Sequence, residues 1–115
     1  MYRDIGQPVL IPGDMGRYSF VLVGTAGAFS ETYGSTCHGA GRVMSRHAAK
    51  KCARGQDIIG DLQRKGICLR AAGRATVAEE ISEAYKDVQD VVNVVQQAGI
   101  GRIVARLRPL AIIKG

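Results

Sequence analysis

The sequence predicts an α+β chain of mixed short strands with two or three helices, and three observations predict it. Ser19–Gly24 is an apolar, partly β-branched run of strand length. Val88, Val91, Val92 and Val95 recur at helical spacing ahead of Gly99. From Arg102 to Gly115 two apolar runs are separated by Pro109, which reads as a strand, a break and a second strand. With 115 residues, 46% of them hydrophobic, the chain forms one domain at most and can bury a modest core.

In chain order, Gln7–Ile11 is apolar and extended, and Pro8 and Pro12 keep it out of a helix before the turn Pro12-Gly13-Asp14-Met15-Gly16. That turn reads equally as a plain hairpin connection or as a loop whose main-chain groups meet a purine edge, with Ser19 as a nearby hydroxyl. Thr25–Tyr33 is small and polar and reads as a loop with one short helical turn at most. Val43–Ala53 has helical composition, with Ser45 as N-cap and Arg46, His47, Lys50 and Lys51 at exposed positions.

Gly55 closes that helix, and Asp57–Lys65 forms another, with Ile58, Ile59 and Leu62 facing inward before Gly66. Ile67–Ala72 reads as a strand with Cys68 as a small buried side chain. Glu79, Glu80 and Glu83 read as a solvated face before a helix rather than as catalytic carboxylates. Tyr85–Ala98 is the clearest helix. Tyr85, near its start, either packs or covers a planar ligand, and the residues alone favour packing. The apolar run Leu110–Ile113 is expected to be buried, tethering Lys114 so that it points into a site.

A net charge of +6 points to an anionic partner, nucleic acid first. Only 5% aromatic residues and no tryptophan argue against a base-stacking platform. Cys37, Cys52 and Cys68 are too widely spaced for a zinc knuckle and read as reduced thiols. No signal-like start and no run near the roughly 20 apolar residues of a membrane span are present, so a cytoplasmic protein without membrane contact is expected.

Chemistry concentrates in Gly34-Ser35-Thr36-Cys37-His38-Gly39-Ala40-Gly41-Arg42, which runs on to Arg46. Gly39 and Gly41 open the backbone on either side of Ala40, and exposed amides followed by a helix start make an anion site. Arg42 and Arg46 add positive charge, and on that ground they are candidate contacts for RNA or a triphosphate. The His38 imidazole suits a base, a nucleophile or a metal ligand. His47, on the basic helix, reads as solvated.

With these residues in place, the chain resembles the C-terminal portion of the RtcB family of RNA-splicing ligases. The resemblance is carried by Gln7–Gly16, by Gly34–Arg42, by Glu79-Glu80 through Ala84-Tyr85-Lys86, and by Val104–Pro109 through Lys114-Gly115. It implies the C-terminal part of the RtcB-type fold over residues 1–115, as a single incomplete domain. It also implies that His38 takes GMP from GTP as a histidine-guanylate. Pro12, Gly13, Asp14, Met15 and Ser19 would border the nucleotide, Gly39, Ala40 and Gly41 would hold its phosphate, Tyr85 would lie over the base, and Lys114 would reach the guanine.

The implied reaction joins RNA 3′-phosphate or 2′,3′-cyclic phosphate ends to 5′-hydroxyl ends, in tRNA splicing or RNA repair. The implied partners are tRNA halves or broken RNA ends, a missing N-terminal ligase portion and an archease-type activating protein. Manganese is implied as cofactor, with its ligands in that missing portion. No residue of this chain is assigned to the metal, and Cys37, Cys52 and Cys68 fall outside the family's ligand motifs. Asp14 stands where serine is frequent. The chain alone is therefore expected to be inactive, and the alternative is a metal-free remnant that binds a guanine nucleotide or RNA without ligating.

Overall fold

The computed structural model describes Tyr2 and residues 4–115. Five strands and five α-helices follow in the order β1 (Pro8–Ile11), β2 (Ser19–Gly24), α1 (Ala26–Thr32), α2 (Arg46–Cys52), α3 (Ile58–Arg64), β3 (Cys68–Ala71), α4 (Arg74–Glu79), α5 (Val88–Gln97), β4 (Gly101–Leu107) and β5 (Ala111–Lys114), with a 3-10 turn at Ser82–Ala84. The α+β class is as expected, but the helices number five rather than two or three. The additional ones are only six or seven residues long, too short to leave a clear periodic signal.

The strands form two sheets. β1, β2 and β4 make an antiparallel sheet, with β2 in the centre and a bulge at Val21/Leu22. β3 and β5 make a parallel pair, Cys68 opposite Ala111 and Ala71 opposite Lys114. Helix α5 lays Val88, Val92 and Val95 on one face of the antiparallel sheet, against Ile11, Phe20 and Leu22. At about 25 cal/mol per Å² of apolar surface removed from water, this cluster is the main stabiliser of that half. A second cluster joins Met15, Leu62, Ile67 and Val77, and a third joins Ala49, Ala53, Ile81 and Ala84.

Several local expectations are corrected. Thr25–Tyr33 is not a loop: the Thr25 hydroxyl accepts from the Ala28 amide at 3.3 Å and donates to the Gly99 carbonyl at 2.5 Å, which caps α1 and fixes it beside α5. Helix α2, by contrast, starts at Arg46 behind the expected N-cap Ser45, whose hydroxyl accepts from Ala48 N at 3.1 Å. Helix α5 starts at Val88, capped by Asp87, so Tyr85 lies ahead of the helix and not in it. Cys68 is exposed, since only Leu69 of β3 faces inward.

The end of the chain also departs from expectation. Leu110 and Ile113 are 65% and 87% exposed, and only Ile112 packs inward. Backbone pairing of β5 with β3, not burial of the run, holds Lys114 in place. No helix among the described residues is long and apolar enough to cross a membrane.

Candidate functional site

A cleft of about 740 Å³ opens where the β1–β2 turn, the His38 turn, the Glu80–Tyr85 segment and the β4–β5 connection meet. Pro12, Gly13, Asp14, Met15, Ser19, His38, Gly39, Ala40, Gly41, Tyr85 and Lys114 all line it, although they come from opposite ends of the chain. Arg42 lines it as well, whereas Arg46 does not. Glu80, Leu107, Arg108, Pro109, Ala111 and Ile112 complete the lining and were missed in the sequence. The strand–proline–strand pattern around Pro109 was their available signal.

The Pro12–Gly16 wall is built around one carboxylate. Asp14 has a fully buried side chain, and its Oδ1 accepts from Gly16 N at 3.0 Å, Arg17 N at 3.1 Å and Ser82 Oγ at 2.5 Å. Its Oδ2 accepts from Arg17 Nε at 2.5 Å. Arg17 then extends Nη2 to the carbonyls of Ser82 and Tyr85, at 2.9 and 3.1 Å. An aspartate therefore stands here as the keystone of a turn, all its acceptor capacity turned inward. Gly13 is explained by packing: a Cβ would sit 2.1 Å from the Tyr18 carbonyl oxygen and 2.8 Å from Val88 Cγ1. Met15 is buried in the second cluster and shows the cleft only an edge.

The His38 wall is open by contrast. His38 is exposed, and among the described residues its ring has no hydrogen-bond partner. Ala40 N donates to Pro12 O at 3.0 Å and so is spent on holding the two walls together. The Gly39 and Gly41 amides have no backbone acceptor among the described residues and remain available to a ligand. Gly41 has φ +78°, left-handed backbone that disfavours side chains, and the space beyond it is empty. The turn is anchored behind by Val43 N to Ala84 O at 2.8 Å and Lys86 N to Gly41 O at 3.0 Å.

A charged network also lines the cleft. Arg42 Nη1 donates to Glu80 Oε1 at 3.2 Å and to the Tyr85 hydroxyl at 3.0 Å, its Nη2 donates to Glu79 O at 2.6 Å, and its Nε donates to Met44 O at 3.2 Å. The guanidinium also covers one face of the Tyr85 ring, 4.9 Å from its centroid. The Tyr85 hydroxyl donates to Glu80 Oε2, which accepts from Lys114 Nζ at 3.1 Å as well. Glu79 pairs with Lys50 at 2.6 Å and Arg46 at 3.7 Å. Glu79 and Glu80 are thus not a solvated face: both are half-buried and paired with cations, whereas Glu83 is exposed as expected.

The network sets its own protonation. Burial pushes the Glu80 carboxyl up, but hydrogen bonds from Tyr85 and Lys114 and the charges of Lys114 and Arg42 outweigh it, holding the group below its ordinary 4.5. Burial, then the hydrogen bond and negative charge of Glu80, push the Tyr85 phenol up, with Arg42 opposing. Tyr85 therefore stays a neutral ring. No three His, Cys, Asp or Glu side chains among the described residues come together to hold a metal ion. Manganese therefore has no ligand set among the described residues.

The cleft thus gathers an exposed imidazole, two amides without an acceptor among the described residues, an aromatic ring and a lysine paired with Glu80. A sequence model described as tRNA-splicing ligase RtcB matches residues 1–115, and the chain belongs to that family. It is 61% identical over 114 residues to the tRNA-splicing ligase RtcB of Archaeoglobus fulgidus, covering 99% of this chain and 24% of the relative. It is 59% identical over 115 residues to that of Pyrococcus furiosus, covering 100% of this chain and 12% of the relative. The RNA-splicing ligase RtcB homolog 1 of Entamoeba dispar is 51% identical over 114 residues, 99% of this chain and 21% of the relative. The chain thus spans between an eighth and a quarter of the length of these relatives.

Proposed function

We propose that this chain carries the guanylate-accepting part of a GTP-dependent RNA ligase, with His38 as the nucleophile. GTP is the substrate of the first step. A His38 ring nitrogen attacks the α-phosphorus, the N–P bond forms as the bond to the bridging oxygen breaks, and pyrophosphate leaves with the electron pair. The Gly39 and Gly41 amides face the oxygens that gather charge during this exchange. The guanylate then passes to an RNA 3′-phosphate, and a 5′-hydroxyl displaces GMP to seal the strand.

The observation that carries the reading is the convergence of His38, the open Gly39–Gly41 backbone, Tyr85 and Lys114 on one cleft. Roles follow from placement. The Pro12–Met15 turn and Ser19 form one wall, Tyr85 offers the ring face that Arg42 leaves free, and Lys114 offers donors to a base edge. Arg42 acts by positioning Tyr85, four of its five N–H donors being engaged within the chain. Arg46 lies outside the cleft and contacts RNA along its exposed side. RNA ends, the remaining ligase length with its manganese, and an archease-type activator are the proposed partners, in the cytoplasm.

The test is covalent labelling with GTP carrying a labelled α-phosphate, in manganese, with the remaining length of the Archaeoglobus fulgidus relative supplied in trans. Label on this chain that vanishes in His38→Ala supports the proposal. Label that persists in His38→Ala overturns it. GMP binding without label in any mixture favours a nucleotide-binding remnant instead.

A further inference from the structure

Glu80 is unlike the other acidic groups of the chain, because it joins three functional elements that the sequence separates widely. Its Oε1 faces Arg42 at 3.2 Å, from the His38 turn. Its Oε2 accepts from both Tyr85, beside the 3-10 turn, and Lys114, from β5, the latter at 3.1 Å. The Glu80 side chain is only 15% exposed while that of Lys114 is 32% exposed, so the carboxylate lies behind the lysine rather than in front of it. A lysine ammonium has three donors and no acceptor. One donor spent on Glu80 leaves two for a ligand.

We propose that Glu80 is the positioning residue of the base subsite: one carboxylate oxygen sets the Lys114 ammonium and the Tyr85 ring at a fixed separation, so that a guanine is stacked and read along its acceptor edge together. The inference rests on the nucleotide reading above and deepens it. Guanine presents two acceptors, N7 and O6, on one edge, where adenine presents N7 beside an amino donor. An ammonium held facing that edge accepts guanine and is mismatched to adenine. Without Glu80 the lysine swings on its four-carbon stem and discrimination is lost with affinity. Charge is needed as well as shape, since bonds to an ionised acceptor are about twice as strong as neutral ones.

The test measures GMP and AMP affinities by calorimetry for the 115-residue chain and its variants, with circular dichroism as a folding check. Glu80→Gln keeps size and removes charge, whereas Glu80→Asp keeps charge and withdraws it by about one methylene. Each is expected to weaken GMP binding about tenfold and to bring the GMP-to-AMP ratio toward one. Lys114→Met is expected to do the same, and Glu80→Gln added to Lys114→Met is expected to cost much less than it does alone. If Glu80→Gln unfolds, Glu80→Asp decides.

Unchanged affinity and base preference in a folded Glu80 variant, or full additivity with Lys114→Met, overturns the role of Glu80 while leaving the nucleotide site standing. Failure of the unsubstituted chain to bind GMP removes the nucleotide reading and this inference together.

Discussion

Two glycine-bearing turns meet at the cleft, and they are built on opposite principles. The Pro12–Gly16 turn is saturated: Asp14 is sealed inside it and uses both oxygens on Gly16, Arg17 and Ser82. The Gly34–Arg42 turn is held by the Gly34, Ser35 and Ala40 amides, by Lys86 N on Gly41 O and by the Arg42 side chain, but between them leaves the His38 ring and the Gly39 and Gly41 amides without a partner among the described residues. Glycine serves a different end in each. In the first, Gly13 admits neighbouring atoms; in the second, Gly39 lies against Pro12 while Gly41 takes left-handed backbone with open space beside it. A rigid wall beside an open one lets an exposed imidazole be presented without the whole cleft becoming soft.

The largest expected effect of breaking this contrast is on the saturated side. Asp14→Ala leaves Arg17 without its buried partner and two backbone amides unmatched, and should lower stability by about 3 kcal/mol. A urea melt measures it, and a loss below about 1 kcal/mol would mean the turn is not the keystone described. On the open side, Gly41→Ala meets no atom, so its cost is confined to the left-handed backbone at φ +78°. About 1 kcal/mol is expected in the same melt, with a larger loss of GMP affinity as the Gly39–Gly41 amides are disturbed.

The smallest effect concerns pH. Because the folded Glu80 carboxyl lies below its ordinary 4.5, its contribution is fully present above that value and is lost as pH falls through the lowered one. Stability of the chain should therefore drop on acidification from about pH 6 to about pH 3, and Glu80→Gln should flatten part of that slope. Parallel slopes in the two proteins would contradict the assigned charge network.

How much of this was legible depended on the range of the forces involved. β2 and α5 were legible because each writes its burial into a local period, Phe20 and Leu22 in one and Val88, Val92 and Val95 in the other. α1 and α4 were not, since their boundaries are set by a Thr25 cap that reaches to Gly99 and by packing against α2 and β3. At the site, His38 and its glycines are contiguous and announce themselves. Glu80 was passed over because its partners lie 38 and 34 residues away, at Arg42 and Lys114. Cys68 was misplaced for a related reason: alternation in a four-residue strand does not say which face meets the core.

Under the proposed function the open turn, and not the saturated one, receives a guanine nucleotide. Titrating the isotopically labelled chain with GMP and following amide and ring signals tests it most directly. His38, Gly39, Gly41 and Tyr85 are expected to shift together with one dissociation constant while Gly16 and Arg17 stay nearly still. Shifts centred on the Asp14 turn, or confined to residues outside the cleft, would contradict it.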